Sequence, residues 1–230
     1  MKDDYVTSIK EKFQAAADPV KALPMKKYMK NLFEFLGITK PQRIPLKKEF
    51  LKKERLPGVE RLEGIIKQLW ELPGREYQYF GFELVEHYRK QLKEQDIDLL
   101  EYMITNKSWW DTVDFIAANL VGTHFKRFPH LVGPYTAKWL ASGNMWLQRT
   151  ALLFQLKYKA GTDVELMFQI IRQLADSKEF FIRKAIGWAL REYSKTNPAA
   201  VIKFVESHPL SNLSKREALK VIARKSNREG

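Results

Sequence analysis

The segment KSWWDTVD, residues 107–114, places tryptophan beside a carboxylate. Trp110 and Asp114 are four residues apart, so on an α-helix they lie on the same face. A tryptophan ring and a carboxylate both attract positive charge, and a ring of this size is costly to leave in water. The pairing is suited to a cleft that holds a cationic group, although the segment alone favours the other interpretation. The alternative is that Trp109 and Trp110 are core residues and that Asp114 pairs with a nearby lysine.

Basic residues and tryptophan also alternate farther along the chain, in WLQR (146–149) and KAIGWALR (184–191). Trp188 lies one helical turn from both Lys184 and Arg191 and shares their face. This pattern is typical of nucleic-acid surfaces, where Lys and Arg contact phosphates and aromatic rings meet sugars or bases. Gly187 leaves room for another group to approach the helix backbone. The alternative is a Trp188 that packs into the core.

The overall charge points to an anionic partner. The 230 residues carry 40 Lys and Arg against 27 acidic residues, a formal net charge of +13. Nucleic acid is the first candidate for such a chain and an anionic membrane the second. A basic surface without a partner is the remaining alternative. Hydrophobic content of 45% and charged content of 29% indicate an ordinary globular protein rather than a disordered one.

Several chemistries lack support in the sequence. The chain has no cysteine, which excludes disulfides and thiolate chemistry. The histidines show no metal-ligand spacing, and no phosphate-binding or dinucleotide-binding glycine motif occurs, so we expect neither a metal nor a cofactor. The first twelve residues lack an apolar signal core, and no apolar run is long enough to span a bilayer. We therefore expect a cytoplasmic protein without membrane contact.

Helical periodicity dominates the chain. Apolar residues at 62, 65, 66, 69 and 70 follow the spacing of a helix that faces a core, and residues 166–174 repeat it. No segment alternates with the period of two that strands require. The pattern predicts an all-α fold of about a dozen helices. Ser108 is expected to cap the helix after it, and Ser214 with Glu217 predicts a capping box for a last helix.

An internal repeat refines this prediction. NMWLQRTALLFQLKY (144–158) aligns with EFFIRKAIGWALREY (179–193) at a shift of 35 residues, and Tyr88 lies two shifts before Tyr158. Helical pairs of about this length build α-solenoids. The tetratricopeptide pattern is missing, so we expect one curved solenoid domain of HEAT-like repeats over residues 1–230. Solenoids usually bind on their concave face.

One row of charged residues follows the same period. Asp114, Arg149 and Lys184 are each 35 residues apart. If the repeats stack in register, these residues occupy one site on three successive helices. They would then form a row of one acid and two bases. A chance row on solvated helix faces is the alternative.

Long segments of the chain resemble the AlkD-type DNA glycosylases, which are HEAT-like-repeat enzymes that remove alkylated bases. The similarity is carried by KSWWDTVD, WLQR, LLFQLKYK, SKEFFIRKAIGWALREYSKTNP and LSKREALK, and by PMKKYMKNLFEFLGI near the N-terminus. The resemblance implies that Asp114 is the catalytic aspartate and that Trp110 and Trp188 line the site around the lesion. It also implies that Arg149 contacts the DNA backbone near the lesion and that Tyr28 lies near the DNA.

The implied activity is hydrolytic excision of cationic N3- and N7-alkylated purines from double-stranded DNA, without a base-flipping pocket. These bases leave as neutral molecules, so no general acid is needed. Lys184, Lys157 and Arg191 are further candidates for phosphate contacts. We expect a monomer that needs no cofactor and no metal and that associates with the nucleoid when bound to DNA. The alternatives are a non-catalytic HEAT-like DNA-binding or scaffold protein and a protein-binding HEAT module.

Overall fold

A computed structural model describes residues 4–54 and 56–229, with side chains as far as residue 224. Almost all of the regular structure in these residues is helical. The one extended feature reported for them is an isolated β-bridge between Glu34 and Gly74. The all-α fold predicted from the periodicity is confirmed.

The chain forms two compact units, residues 1–93 and residues 94–230. The single-domain organisation expected from the sequence stays a prediction. The helices of the first unit are α1 (Asp4–Ala15), α2 (Pro19–Tyr28), α3 (Lys40–Glu54), α4 (Leu62–Glu71) and α5 (Arg75–Tyr88). Those of the second unit are α6 (Ile97–Thr105), α7 (Trp110–Phe115), α8 (Gly122–Arg127), α9 (Val132–Ala141), α10 (Met145–Leu153), α11 (Val164–Leu174), α12 (Phe180–Tyr193), α13 (Pro198–Ser207) and α14 (Asn212–Glu229). A π-helical segment, Ile116–Val121, joins α7 to α8.

The helices follow the repeat period found in the sequence. The second helix of each pair begins at Arg75, Trp110, Met145 and Phe180, in steps of 35 residues. The next one, α14, begins at Asn212, three residues earlier than the period predicts. From α4 onward the chain is therefore built from helical-pair repeats of nearly constant length.

Polar side chains of the second unit link neighbouring repeats. The indole nitrogen of Trp139 on α9 donates to Glu101 on α6 at 2.8 Å. The hydroxyl of Tyr158, which follows α10, donates to the Gly122 carbonyl on α8 at 2.6 Å. These partners are 38 and 36 residues apart in sequence, close to one repeat. Such bonds set the register between repeats that apolar packing alone leaves loose.

Close packing at Gly122 brings α8 against the segment after α10. A Cβ atom on Gly122 would lie 2.4 Å from the Phe154 carbonyl oxygen, closer than any real contact. The ring of Phe154 is buried against Phe125 with centroids 5.1 Å apart, and Phe125 stacks on Trp139. Glycine at 122 therefore lets an aromatic core form between two repeats.

Both helix caps predicted from the sequence are wrong. The Ser108 hydroxyl donates backward to the Ile104 carbonyl at 2.6 Å, at the end of α6, and makes no cap for α7. Ser211 caps α14, because its hydroxyl accepts the Ser214 amide at 3.1 Å. Ser214 lies inside the helix and its hydroxyl donates to the Arg183 carbonyl on α12 at 2.9 Å. Glu217 is thereby free for other partners.

In the first unit a buried glutamate fixes the loop after α2. The Glu76 carboxylate on α5 accepts hydrogen bonds from the backbone amides of Leu36, Gly37 and Ile38 at 2.9–3.1 Å. Gly37 has φ of +85°, a conformation that favours glycine. This contact holds the connection between α2 and α3 against α5.

None of the helices within the described residues is long and apolar enough to cross a membrane.

Candidate active site

Asp114 lies on α7, directly before the π-helical segment. The wider turn of a π-helix leaves carbonyls that need other donors, and side chains supply them. The Asn119 side-chain amide donates to the Phe115 carbonyl at 2.8 Å, and the Thr123 hydroxyl donates to the Asn119 carbonyl at 2.6 Å. Short π segments inside α-helices are frequent at functional sites. The helix that carries Asp114 thus has the irregularity expected there.

The Asp114 carboxylate forms a two-bonded ion pair with Arg149 on α10. Arg149 Nε donates to Oδ1 at 2.7 Å and Nη2 donates to Oδ2 at 2.8 Å. The Asp114 side chain is 16% exposed and the Arg149 side chain 6%. The pair is therefore largely buried, yet the carboxylate keeps an opening to solvent. Paired charge-assisted bonds of this type fix the plane of the carboxylate.

An aromatic cluster meets the arginine at Phe181. Trp109, Trp146 and Phe181 form a cluster with ring centroids 5.0–5.6 Å apart. The third nitrogen of Arg149, Nη1, donates to the Phe181 carbonyl, and the guanidinium carbon lies 5.8 Å from the Phe181 ring. The guanidinium is therefore held on two sides, by the carboxylate and by the start of α12. The Trp109 Nε1 is buried without a partner among the described residues.

Burial governs the electrostatics of the carboxylate. Desolvation raises the pKa of Asp114, and the nearby Asp111 charge adds to that rise. The hydrogen bonds and charge of Arg149 oppose it, but the pKa stays above the ordinary value of 3.8. A carboxylate destabilised in this way gains more than a solvated one from a cation brought next to it. It is also a better proton acceptor than an ordinary aspartate.

Trp110 and Trp188 are each half-buried, so neither is a closed core residue. Trp110 is the first residue of α7, and Trp188 lies in the middle of α12. Trp188 keeps the face that the sequence predicts, between Lys184 and Arg191.

Glu217, which the sequence analysis assigned to a capping box, instead joins the two cations of α12. Glu217 on α14 pairs with Lys184 at 2.8 Å through one oxygen and with Arg191 through the other. The approach is allowed by Gly187, where a Cβ atom would lie 2.5 Å from the Glu217 Cβ. The space predicted at Gly187 is thus filled by α14. The hydrogen bond and charge of Lys184 are the main causes that lower the pKa of Glu217, so it stays ionised.

Lys157 and Tyr28 are the remaining residues predicted to contact DNA. Lys157 is exposed and donates to the Asn119 side-chain oxygen of the π segment. Tyr28 belongs to the first unit, at the end of α2, where it is 68% exposed. It borders an apolar hollow formed with Met25, Met29 and Tyr79.

The structure brings Asp114 and Arg149 into direct contact, as the 35-residue period suggested, but Lys184 bonds to Glu217 instead. The alternative in which Asp114 pairs with a lysine is wrong, because its partner is an arginine. Sequence reasoning assigned no role to Asn119 and Phe181, and it assigned Glu217 only to a helix cap. Asn119 and Glu217 each lie about one repeat from the lysine they bind, a signal that a search for complementary polar pairs could have used.

Comparison with known proteins agrees with the sequence resemblance. A family model described as "DNA alkylation repair enzyme" matches residues 9–222. A solved structure, "Predicted DNA alkylation repair enzyme from Enterococcus faecalis", is 33% identical with a TM-score of 0.84, over 90% of this chain and 97% of that one. No curated protein matches. By the extent of the family match, the chain belongs to the DNA alkylation repair enzyme family.

Proposed function

We propose that the protein is a DNA glycosylase that hydrolyses the N-glycosidic bond of cationic N3- and N7-alkylated purines in duplex DNA. The observation that carries the proposal is the Asp114 carboxylate, which is largely buried, fixed by Arg149 and still open to solvent. The family membership makes alkylated DNA the substrate to test.

Asp114 has the geometry for stabilising a developing cation. Arg149 occupies one lone pair on each carboxylate oxygen, and each oxygen can accept a second hydrogen bond. When the C1′–N bond breaks, its electron pair goes to the alkylated base, which leaves neutral, and positive charge moves to the sugar. A fixed carboxylate in a poorly hydrated site stabilises that charge without reorganising. Water then forms the new C1′–O bond and gives up a proton, for which Asp114 is the acceptor.

Arg149 can hold Asp114 and contact DNA at the same time. A guanidinium has five N–H groups, and three of the Arg149 groups are used by Asp114 and the Phe181 carbonyl. The two left over, one on each terminal nitrogen, have no protein acceptor among the described residues, and we assign them to a phosphate at the 6% of the side chain that is exposed. We assign Arg149 both tasks, so that phosphate binding and carboxylate orientation depend on the same side chain.

The other predicted residues are assigned separate contacts with DNA. Trp110 and Trp188 offer ring faces to the cationic sugar. Lys184, Lys157 and Arg191 supply positive charge for phosphates, and Tyr28 adds an exposed ring in the first unit. No cluster of three or more His, Asp or Glu side chains within the described residues is arranged to hold a metal. The reaction as proposed uses only the residues named here and water.

The direct test is release of 7-methylguanine and 3-methyladenine from a methylated duplex by the purified protein, with a uracil-containing duplex of the same sequence as the control. We expect release of both methylated bases and no measurable release of uracil, because the neutral base is a poor leaving group. Salt-sensitive duplex binding without release would favour a non-catalytic DNA-binding protein. Efficient uracil release would contradict the mechanism.

The rate of excision should fall on the acidic side at a higher pH than for an ordinary aspartate. Asp114 acts in its ionised form, and burial raises its pKa above 3.8. As the pH falls, Asp114 therefore becomes protonated, and activity is lost, before the pH reaches 3.8. The measurement is the single-turnover rate of 7-methylguanine release from about pH 4 to about pH 8, after subtraction of spontaneous release. The Asp114→Asn variant is the control, and its excision rate should show no such fall at acidic pH. A wild-type rate that is flat down to the acidic end of the range would contradict this role.

Replacing Glu217 with glutamine should separate DNA affinity from rate. The change removes a negative charge between Lys184 and Arg191, so duplex binding tightens. The plot of log affinity against log salt concentration becomes steeper by the amount expected for about one more phosphate contact. The excision rate at saturating protein falls, because the two cations lose the partner that fixes their spacing around Trp188. Filter binding at several salt concentrations and single-turnover kinetics measure the two effects.

Glu192→Gln is the matched control, since Glu192 pairs with the exposed Lys195 on the same stretch of chain. It should leave the excision rate at saturation unchanged. Loss of affinity and rate together in Glu217→Gln, with a lowered melting temperature, would mean that Glu217 only supports the packing of α14.

A further inference from the structure

A cavity of about 270 Å³ lies between the end of α10, the start of α11 and the end of α12. Its floor is apolar and includes Leu152, Met167 and Ala189. On α12 the lining residues Ala189 and Tyr193 lie about 100° or more around the helix from Trp188, the centre of the proposed DNA-binding face. The cavity is thus separate from the residues assigned to the reaction.

Comparison with the preceding repeat explains why this space is open. At the 35-residue shift, Ala189 takes the position of Phe154 and Tyr193 takes that of Tyr158. Phe154 fills its junction by packing on Phe125 and on the Tyr158 ring, whose hydroxyl bonds the Gly122 carbonyl. Ala189 has no ring to place there. The cavity is therefore the space that an aromatic ring fills at this position of the preceding repeat.

Among the charged and phenolic groups that line the cavity, Glu192 and Lys195 pair with each other at 2.6 Å, whereas Lys159 and Tyr193 have no partner among the described residues. The Tyr193 hydroxyl makes no hydrogen bond within the described residues, in contrast to Tyr158. The Lys159 ammonium forms no ion pair there either, and the Lys159 backbone is in the left-handed region with φ of +53°. A residue other than glycine in that region is strained, and such strain often occurs where a ligand is held. A hydroxyl and an ammonium together suit a carboxylate.

We propose that this cavity is a binding site for a small planar aromatic anion. The ring occupies the space that Phe154 fills in the preceding repeat, between Leu152, Met167 and Ala189. The carboxylate lies at the rim, where Lys159 and Tyr193 donate to it. The proposal concerns a site away from Asp114, and it stands whether or not the protein excises alkylated bases.

The test is isothermal titration calorimetry of the full-length protein with 2-naphthoate as the probe. We expect saturable binding with one site per chain. Ala189→Phe restores the ring of the preceding repeat and should abolish binding, while DNA binding and base release stay as in the wild type. Ala189→Leu, which fills less of the cavity, should weaken binding and serves if the larger residue unfolds the protein.

Lys159→Ala tests the anion. It should weaken 2-naphthoate binding by at least about tenfold, since a charge-assisted hydrogen bond is lost. Binding of the neutral analogue 2-naphthol should change little. No binding to the wild type would overturn the proposal. Equal binding to Ala189→Phe would also overturn it, because the probe would then be attracted by the general positive charge of the surface.

Discussion

Replacing Asp114 with asparagine is expected to lower the rate of base excision by about 10²–10³-fold and to change duplex affinity by no more than about threefold. The substitution keeps the shape of the side chain but removes the charge that would stabilise the cationic sugar. It also turns one side of the Arg149 pair into an amide that faces N–H groups. Affinity is preserved because phosphate contacts come from other residues. Single-turnover release of 7-methylguanine and equilibrium binding to undamaged duplex measure the two quantities.

Asp111→Asn is the matched control for this experiment. Asp111 lies three residues before Asp114 on the same helix and is also half-buried. Asp111→Asn removes one negative charge from α7, as Asp114→Asn does. We expect its excision rate to stay within about threefold of the wild type. A similar loss in both variants would show that the net charge of α7 matters rather than Asp114. Equal loss of binding and catalysis in Asp114→Asn would show that Asp114 is structural.

The largest effect on stability is expected from Arg149→Leu, a loss of about 3–5 kcal/mol in the free energy of unfolding. The change leaves the buried Asp114 charge without its partner and removes the donor to the Phe181 carbonyl. Because a single buried charge costs more than no charge, the double variant Asp114→Leu with Arg149→Leu should recover part of the loss. Urea denaturation followed by circular dichroism gives the four free energies of this cycle.

Arg183→Leu provides the comparison for a lost arginine that has no buried ionic partner. Its guanidinium donates to the Ser177 carbonyl at 2.8 Å, and we expect a loss of about 1 kcal/mol. If Arg149→Leu cost no more than Arg183→Leu, the Asp114 pair would contribute little to folding. In that case the double variant would also show no recovery.

The repeat period made much of the site predictable from the sequence. Asp114 and Arg149 were paired by their 35-residue spacing, because repeats of equal length bring equivalent positions of successive helices together. Spacing of one turn along a helix predicted the face of Trp188, Lys184 and Arg191 on α12. The sequence shows both kinds of spacing directly.

The partner of Lys184 could not be found in this way. The last repeat is three residues shorter than the others, so α14 begins at Asn212 and Glu217 comes out of phase with the charged row. Glu217 also fits the sequence pattern of a capping box, which local spacing alone cannot separate from an inter-repeat ion pair. The true cap is Ser211, at the position that the shortened repeat requires.

The aromatic cluster that meets Arg149 at Phe181 could also not be predicted from the sequence. Trp109, Trp146 and Phe181 come from three different repeats and precede or begin their helices, where helical periodicity carries no information. The alternative in which both Trp109 and Trp110 are core residues is not matched, because both side chains are half-buried, although Trp109 packs in this cluster. Which rings meet is decided by how the repeats stack, not by spacing within one helix.

The bond between Asp114 and Arg149 has a consequence for how the chain is made. The two residues are 35 positions apart, and translation adds about 5–20 residues per second, so Asp114 is synthesised about 2–7 seconds before its partner. During that interval the carboxylate lacks the guanidinium that pairs with it in the folded protein. The helix that carries it can bury its final face only when α10 has left the ribosome. The Asp114–Arg149 pair and the packing of α10 against α7 therefore form at the same stage of synthesis.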